Sequence, residues 1–144
     1  MRFVFDTSVL VDYLRDDGMA ADALAVAAEK GNVFVSLISF MELWLSPNKS
    51  NAEIKEEIAA LKELCEKLAI RIVPCTHRSQ QRALALLEHS RSLLGKNALS
   101  DSLIIATGMT RRAYLVTRDN RWFDVARSVQ GLRVLSPEKL VEEL

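Results

Sequence analysis

The sequence predicts an α/β protein: a parallel sheet with helices on both faces. Three observations point there. Short apolar runs alternate with longer segments of helical periodicity along the whole chain, the pattern of strand–helix–strand units. The stretch from Ser100 to Asp124 holds one such unit: a carboxylate opening an apolar helix, a short strand at Tyr114-Leu115-Val116-Thr117, and a polar turn with Asp119. No linker, internal repeat or low-complexity tract interrupts the alternation, so residues 1–144 read as a single domain.

Taken in order, Phe3-Val4-Phe5 is a short buried strand ending at Asp6. Thr7 and Ser8 offer caps for a helix through Val9, Leu10, Tyr13 and Leu14, which Arg15-Asp16-Asp17-Gly18 turns off. An Ala-rich helix follows from Met19 to Lys30, stopped by Gly31-Asn32. Val33 to Ser36 is a second strand. Ser36 or Ser39 caps a helix that includes Phe40 to Leu45, and Ser46-Pro47-Asn48 breaks it. Ser50-Asn51-Ala52-Glu53 is a capping box opening a helix with Ile54, Ile58, Leu61, Cys65 and Leu68 on one face.

Ile70 to Val73 is a third strand, closed by Pro74. Thr76 or Ser79 starts a helix carrying Ala83, Leu84, Leu87 and Leu94, with Gly95 as its stop. Ser100 is the expected N-cap of the next helix, with Asp101 in its first turn. Strand four and a turn or short helix around Trp122 lead to Gly131 and a last strand, Leu132 to Leu135. Ser136-Pro137-Glu138 opens the final helix with a cap, an early proline and a favourable charge.

Composition narrows the function classes. The 144 residues are 49% hydrophobic and 26% charged, enough for a real core in one domain. No apolar run is long enough for a membrane span, and MRFVFD carries no signal-peptide pattern, so a cytoplasmic setting is expected. Two cysteines, Cys65 and Cys75, are too few and too separated for a zinc cluster or a disulfide scaffold. Nineteen basic residues balance nineteen acidic ones, so there is no global electrostatic footprint of nucleic-acid binding. A nucleic-acid partner must be read from local features.

Four acids stand out. Asp6 ends strand one, Asp119 follows strand four, Asp101 opens a helix, and Glu42 sits among Phe40, Met41, Leu43, Trp44 and Leu45. Singly, each has an ordinary explanation as a cap, a turn residue or an exposed helix position. Together they suggest convergence, because sites in open parallel sheets form outside the carboxyl ends of central strands. Carboxylates gathered in one cleft repel unless protonated or neutralised by cations. Oxygen-only donors without His or Cys suit hard ions, Mg2+ or Mn2+. His77 and His89 lie away from the acids in sequence, and nothing supports a serine or cysteine triad.

FDTSVLVDYL at the start, SFMEL in the first third and SDSLIIATGMTRRAYLVTRDNRWF near the end resemble PIN-domain ribonucleases, and the chain is similar in size to VapC-type toxins. The resemblance runs from Phe3 to about Leu135. It implies a three-layer α/β/α fold, a five-stranded parallel sheet in the order 3-2-1-4-5, an acidic metal site and endonuclease activity on RNA. Its acidic positions match Asp6, Glu42, Asp101 and Asp119. Asp6, Asp101 and Asp119 are the implied metal ligands, while Glu42 either binds through water or orients the attacking water.

Ser8, Thr117 and Asn120 match the family's polar support positions. Ser100 stands where the family often has Asn, which touches only a supporting hydrogen bond. Asp124 is a weaker fifth acid, in a turn that Trp122 and Phe123 suggest is packed. Arg111, Arg112, Arg118 and Arg121 are expected phosphate contacts by guanidinium geometry, with solvated charge as the competing explanation. The implied reaction is metal-assisted hydrolysis of a phosphodiester, with one ion or two. The resemblance also implies an antitoxin whose helix packs on an apolar groove; the faces around Phe40 to Leu45 and Ile54 to Leu68 could provide one, or a homodimer surface.

Two rivals remain. A haloacid-dehalogenase-like phosphohydrolase also places an Asp after strand one, but its second Asp would fall at Ser8, leaving no general acid. A non-catalytic module of the same fold would need some defect other than a missing acid.

Overall fold

The computed structural model describes residues 1–144. Five parallel strands form one sheet: β1 (Arg2–Phe5), β2 (Asn32–Ser36), β3 (Arg71–Val73), β4 (Tyr114–Val116) and β5 (Arg133–Leu135), in the order β3-β2-β1-β4-β5. This is the implied order. Eight helices connect and cover them: α1 (Thr7–Leu14), α2 (Gly18–Lys30), α3 (Leu37–Leu43), α4 (Asn51–Lys67), α5 (His77–Leu94), α6 (Ala98–Thr110), α7 (Asn120–Ala126) and α8 (Pro137–Glu143). A 3-10 turn, Gly95–Asn97, joins α5 to α6.

Strand alternation sorts the core into two layers. Phe3, Phe5, Val33, Val35 and Val116 face one side, where α1, α2, α4 and α8 bring Leu10, Leu24, Leu61 and Leu140. Val4, Phe34, Val73 and Leu115 face the other, where α5, α6 and α7 bring Leu86, Ile104, Ile105 and Trp122. Connections on either side of β1 and β4 therefore lie on opposite faces, and the crevice of an open sheet opens between those two strands. Register puts Phe5 beside Val116, and the Asp6 N–H extends the ladder to the Val116 carbonyl at 2.9 Å. Asp6 and Thr117 thus leave neighbouring strands at the same carboxyl edge.

Local readings differ from the structure at several points. Asp6 itself caps α1, taking the Ser8 N–H, instead of Thr7 or Ser8; a carboxylate one residue past a strand is well placed for the first free helix N–H groups. Ser100 is not a cap, because the 3-10 turn feeds α6 from Ala98 and leaves Ser100 inside its first turn. Leu84 is 61% exposed; the buried stripe of α5 is Ala83, Leu86, Ser90 and Leu94. Helix α3 ends at Leu43, and Met41, Trp44 and Leu45 face solvent, so this segment's apolar character belongs partly to the surface. Elsewhere Ser36, Ser50, Thr76 and Ser136 cap their helices through side-chain oxygens, and Gly95 ends α5 at φ 70°. No helix is long and apolar enough to cross a membrane.

Candidate active site

Each acid is delivered by a different element. Asp6 follows β1, Glu42 comes from the last turn of α3, Asp101 from the first turn of α6, and Asp119 caps α7 after β4. Thr117, fully buried, ties two of them together: its Oγ1 donates to Asp6 Oδ2 at 2.8 Å and accepts the Asp119 N–H at 3.1 Å. Ser8 supports Asp6 from the other side, its N–H reaching Oδ1 at 3.5 Å. Ser100 Oγ donates to Glu42 Oε2 at 2.7 Å, so the serine makes the supporting hydrogen bond that its departure from Asn had put in question.

The electrostatics are those of crowded, buried carboxylates. Burial raises the pKa of Asp6 above the ordinary carboxylate value; Thr117 and Ser8 lower it in part, and the Asp119 charge adds to the rise. Glu42 is raised by burial, against the Ser100 hydrogen bond, with Asp6 repelling it. Asp101, 5% exposed, is pushed up to about 7, first by burial and then by Glu42, with Asp119 and Asp6 adding and Arg121 opposing. Its Oδ2 is buried without any hydrogen-bond partner. An orphaned carboxylate oxygen costs free energy unless a cation meets it.

Asp119 is the exception, its pKa lowered by hydrogen bonds from Arg121. The Arg121 Nε donates to both carboxylate oxygens at 2.9 and 3.2 Å, Nη2 reaches Oδ2 at 2.5 Å, and the backbone N–H takes Oδ1 at 3.0 Å. The same Nη2 stands 3.6 Å from Asp101 Oδ2, and Nη1 donates to the Leu94 carbonyl at 2.7 Å. With this guanidinium among the acids, no three His, Cys, Asp or Glu groups are arranged as a ready-made metal cage. The donor set still fits a hard divalent ion: it is all oxygen, and one buried carboxylate oxygen, Asp101 Oδ2, is without a hydrogen-bond partner.

The remaining expected residues fall elsewhere. Asn120 begins α7, is exposed, and makes no hydrogen bond to the acids. Asp124 pairs with Arg127 at 3.2 Å on the outer side of α7. Arg118 is engaged by Asp17 at 2.6 Å, with Asp12 and Glu138 each at 3.7 Å, tying the β4–α7 turn to α1, α2 and α8.

Arg111 stacks over Phe34, and its carbonyl accepts from Arg2 at the start of β1; the Arg112 carbonyl accepts from Arg133 at the start of β5. Both arginines therefore sit at the amino edge of the sheet, opposite the acids, and cannot touch a phosphate held by them. Of the four arginines, the fold brings only Arg121 among the carboxylates. Sequence reasoning missed its role as their internal partner and the Leu94 carbonyl that anchors it. The spacing Asp119-x-Arg121 at a helix start was the available signal.

The sequence matches the family model described as PIN domain over residues 3–128. The chain belongs to the PIN-domain family. No curated protein sequence matches it significantly. Among solved structures, this PIN-domain chain is similar to a chain of VapBC2 from Rickettsia felis bound to a promoter DNA fragment, at 17% identity and TM-score 0.73, covering 94% of this chain and 98% of that one. It is also similar to a chain of a toxin-antitoxin complex from Klebsiella pneumoniae, at 25% identity and TM-score 0.63, covering 93% and 96% respectively. A third neighbour is in FitAcB from Neisseria gonorrhoeae, at 21% identity and TM-score 0.69, covering 94% and 98%. The likeness extends over nearly the full length of the PIN domain and of each neighbour.

Proposed function

We propose that this PIN-domain protein is a metal-dependent endoribonuclease that hydrolyses RNA phosphodiester bonds, and that it is the toxin of a toxin–antitoxin pair. The observation carrying the chemistry is the buried, unpartnered Oδ2 of Asp101 in a cluster with Asp6, Glu42 and Asp119. A phosphohydrolase using an aspartyl nucleophile and a second Asp finds no support, since Ser8 occupies the second position and its N–H serves the cap.

Asp6, Asp101 and Asp119 would hold Mg2+ or Mn2+. Such an ion supplies an activated water and offsets charge on the phosphate. Thr117 holds the Asp6 carboxylate and the backbone of Asp119 at one point, tying the ends of β1 and β4 together beside the acids. Ser100 holds Glu42 through Oε2, leaving Oε1 to receive or orient a proton of the attacking water. Ser8 keeps Asp6 from rotating.

The toxin reading rests on the structural neighbours, one of them a toxin–antitoxin complex from Klebsiella pneumoniae and another a member of the VapBC family of toxin-antitoxin systems from Mycobacterium tuberculosis. Leu37, Met41, Trp44 and Leu45 expose apolar surface on and beyond α3, which favours a protein partner there. An antitoxin and a second copy of the chain are the partners proposed, in the cytoplasm where RNA is the substrate.

Purified protein should cleave RNA with Mg2+ or Mn2+ and stop on chelation, while Asp6→Asn should be inactive under both conditions. Full-rate cleavage in chelator that Asp6→Asn abolishes would overturn metal dependence. Expression alone should slow growth, and coexpression of a small protein encoded beside it should relieve this. Normal growth with abundant, active protein would overturn the toxin reading and leave the nuclease reading standing.

A further inference from the structure

We infer that Arg121 is the resident cation of the acid cluster, occupying the place of the divalent ion, and that metal binds by displacing its guanidinium from Asp119. The inference rests on the metal-site reading proposed above and concerns what fills that site beforehand.

Geometry carries it. Arg121 commits Nε, Nη2 and its own backbone N–H to the Asp119 carboxylate, covering both oxygens that a metal would need. Nη2 points on toward the unpartnered Asp101 Oδ2 but stops at 3.6 Å, too far for a hydrogen bond. One guanidinium therefore satisfies Asp119 and leaves Asp101 wanting. A divalent ion shared by both carboxylates would need ligand distances of about 2.1 Å for Mg2+, so Asp119 must first be released from the guanidinium to turn toward Asp101. The two cations compete for the same oxygens, and their like charge disfavours both at once.

The fold gives Arg121 its position and a place to retreat. It lies two residues after Asp119, so the pair forms as soon as α7 starts. The end of α5 supplies the second anchor: Gly95, at φ 70°, ends the helix, and the Leu94 carbonyl accepts from Nη1. That carbonyl also opens the 3-10 turn Gly95–Asn97, so the contact holds Arg121 at the junction of α5 and α6. The side chain is 38% exposed, so it can swing to solvent or to a substrate phosphate without unfolding anything. Charge neutralisation passes from Arg121 to the ion, and the freed fork stays at the mouth of the site.

The test uses full-length protein without RNA. Binding of Mg2+ or Mn2+ is measured by calorimetry for the parent, Arg121→Gln, Arg121→Lys and Asp101→Asn, with folding checked by circular dichroism. Arg121→Gln should bind the ion about tenfold more tightly, equivalent to about 1.4 kcal/mol. Arg121→Lys keeps the charge without the fork and should fall between. Binding by the parent that Arg121→Gln leaves unchanged or weakens overturns the inference while the metal site stands. Absence of binding in both parent and Arg121→Gln overturns both readings.

Through-space repulsion alone would also tighten binding in Arg121→Gln, so a second readout follows displacement itself. In nitrogen NMR of the parent, the Arg121 Nε–H should be protected from solvent exchange without metal and lose protection at saturating Mg2+. Protection that persists at saturation means Arg121 stays on Asp119, and overturns displacement.

Discussion

Replacing Asp101 by Asn separates a catalytic acid from a structural cap. The Asp101 side chain is 8% exposed, and its pKa rises from 3.8 to about 7 through burial and the charge of Glu42. About three pKa units at 1.36 kcal/mol each give the ionised carboxylate a gross cost of about 4 kcal/mol above pH 7. Relaxation, water entry and loss of the first-turn dipole interaction reduce the gain from Asn to about 1–2 kcal/mol.

The sign follows from protons bound. Between about pH 4 and 7 the folded chain keeps a proton that the unfolded chain releases, so metal-free stability falls as pH rises through that window. The Asn variant lacks this contribution to the slope. Melting in chelator should therefore show little difference at pH 5. At pH 8 the variant should melt roughly 2–8 °C higher, at about 2–4 °C per kcal/mol for a domain near this size. With Mg2+ the order reverses, because an ion at a hundred times its Kd adds about 2.7 kcal/mol to the parent alone. RNA cleavage by the variant falls to background. A metal-free variant that melts clearly lower than the parent at pH 8 would refute the reasoning and make Asp101 a structural partner of α6.

Other changes test the supporting structure. Thr117→Val removes the hydroxyl between Asp6 and the Asp119 N–H; it should cost about 1–3 kcal/mol in urea unfolding and lower cleavage at least tenfold, with Thr117→Ser restoring most of both. Gly108→Ala places a Cβ 2.8 Å from the Leu115 side chain between α6 and β4; overpacking of about 1–3 kcal/mol should exceed the helix-propensity gain of about 1 kcal/mol, read as a lower urea midpoint. Arg111→Ala and Arg112→Ala should change the KM for RNA by less than about twofold, since both lie at the far edge of the sheet and an exposed charge acts weakly over that distance.

Much of the fold was legible because its signals are local or periodic. Ser50 and Ser136 announce their helices through side-chain caps, Gly95 ends one, and Phe3-Val4-Phe5 is too short and apolar to be anything but a buried strand. The four acids were legible as residues at element ends, and Asp6 and Asp119 meet because β1 and β4 are neighbours. What was hidden depends on tertiary placement. The 3-10 turn that moves the start of α6 to Ala98 has no strong local signature, so Ser100 looked like a cap when its hydroxyl serves Glu42, 58 residues away. Arg111, Arg112, Arg118 and Arg121 are close in sequence and were all expected to meet phosphate, yet β4 crosses the sheet between them and puts Arg111 and Arg121 at opposite edges. The face around Phe40 to Leu45 was legible as a surface or as core but not as which, because hydropathy does not say which side of a short helix is covered; Met41, Trp44 and Leu45 are exposed and Phe40 is buried.

The central claim is that Asp6, Asp101 and Asp119 hold a divalent ion at the carboxyl edge of β1 and β4. Anomalous X-ray scattering from crystals grown with Mn2+ tests it most directly. The account predicts a manganese peak within about 2.5 Å of oxygens from at least two of these carboxylates, absent in Asp101→Asn, with the Arg121 guanidinium moved off Asp119. A cleaving protein whose manganese lies elsewhere, or whose acid cluster stays closed around Arg121 at saturating Mn2+, would contradict it.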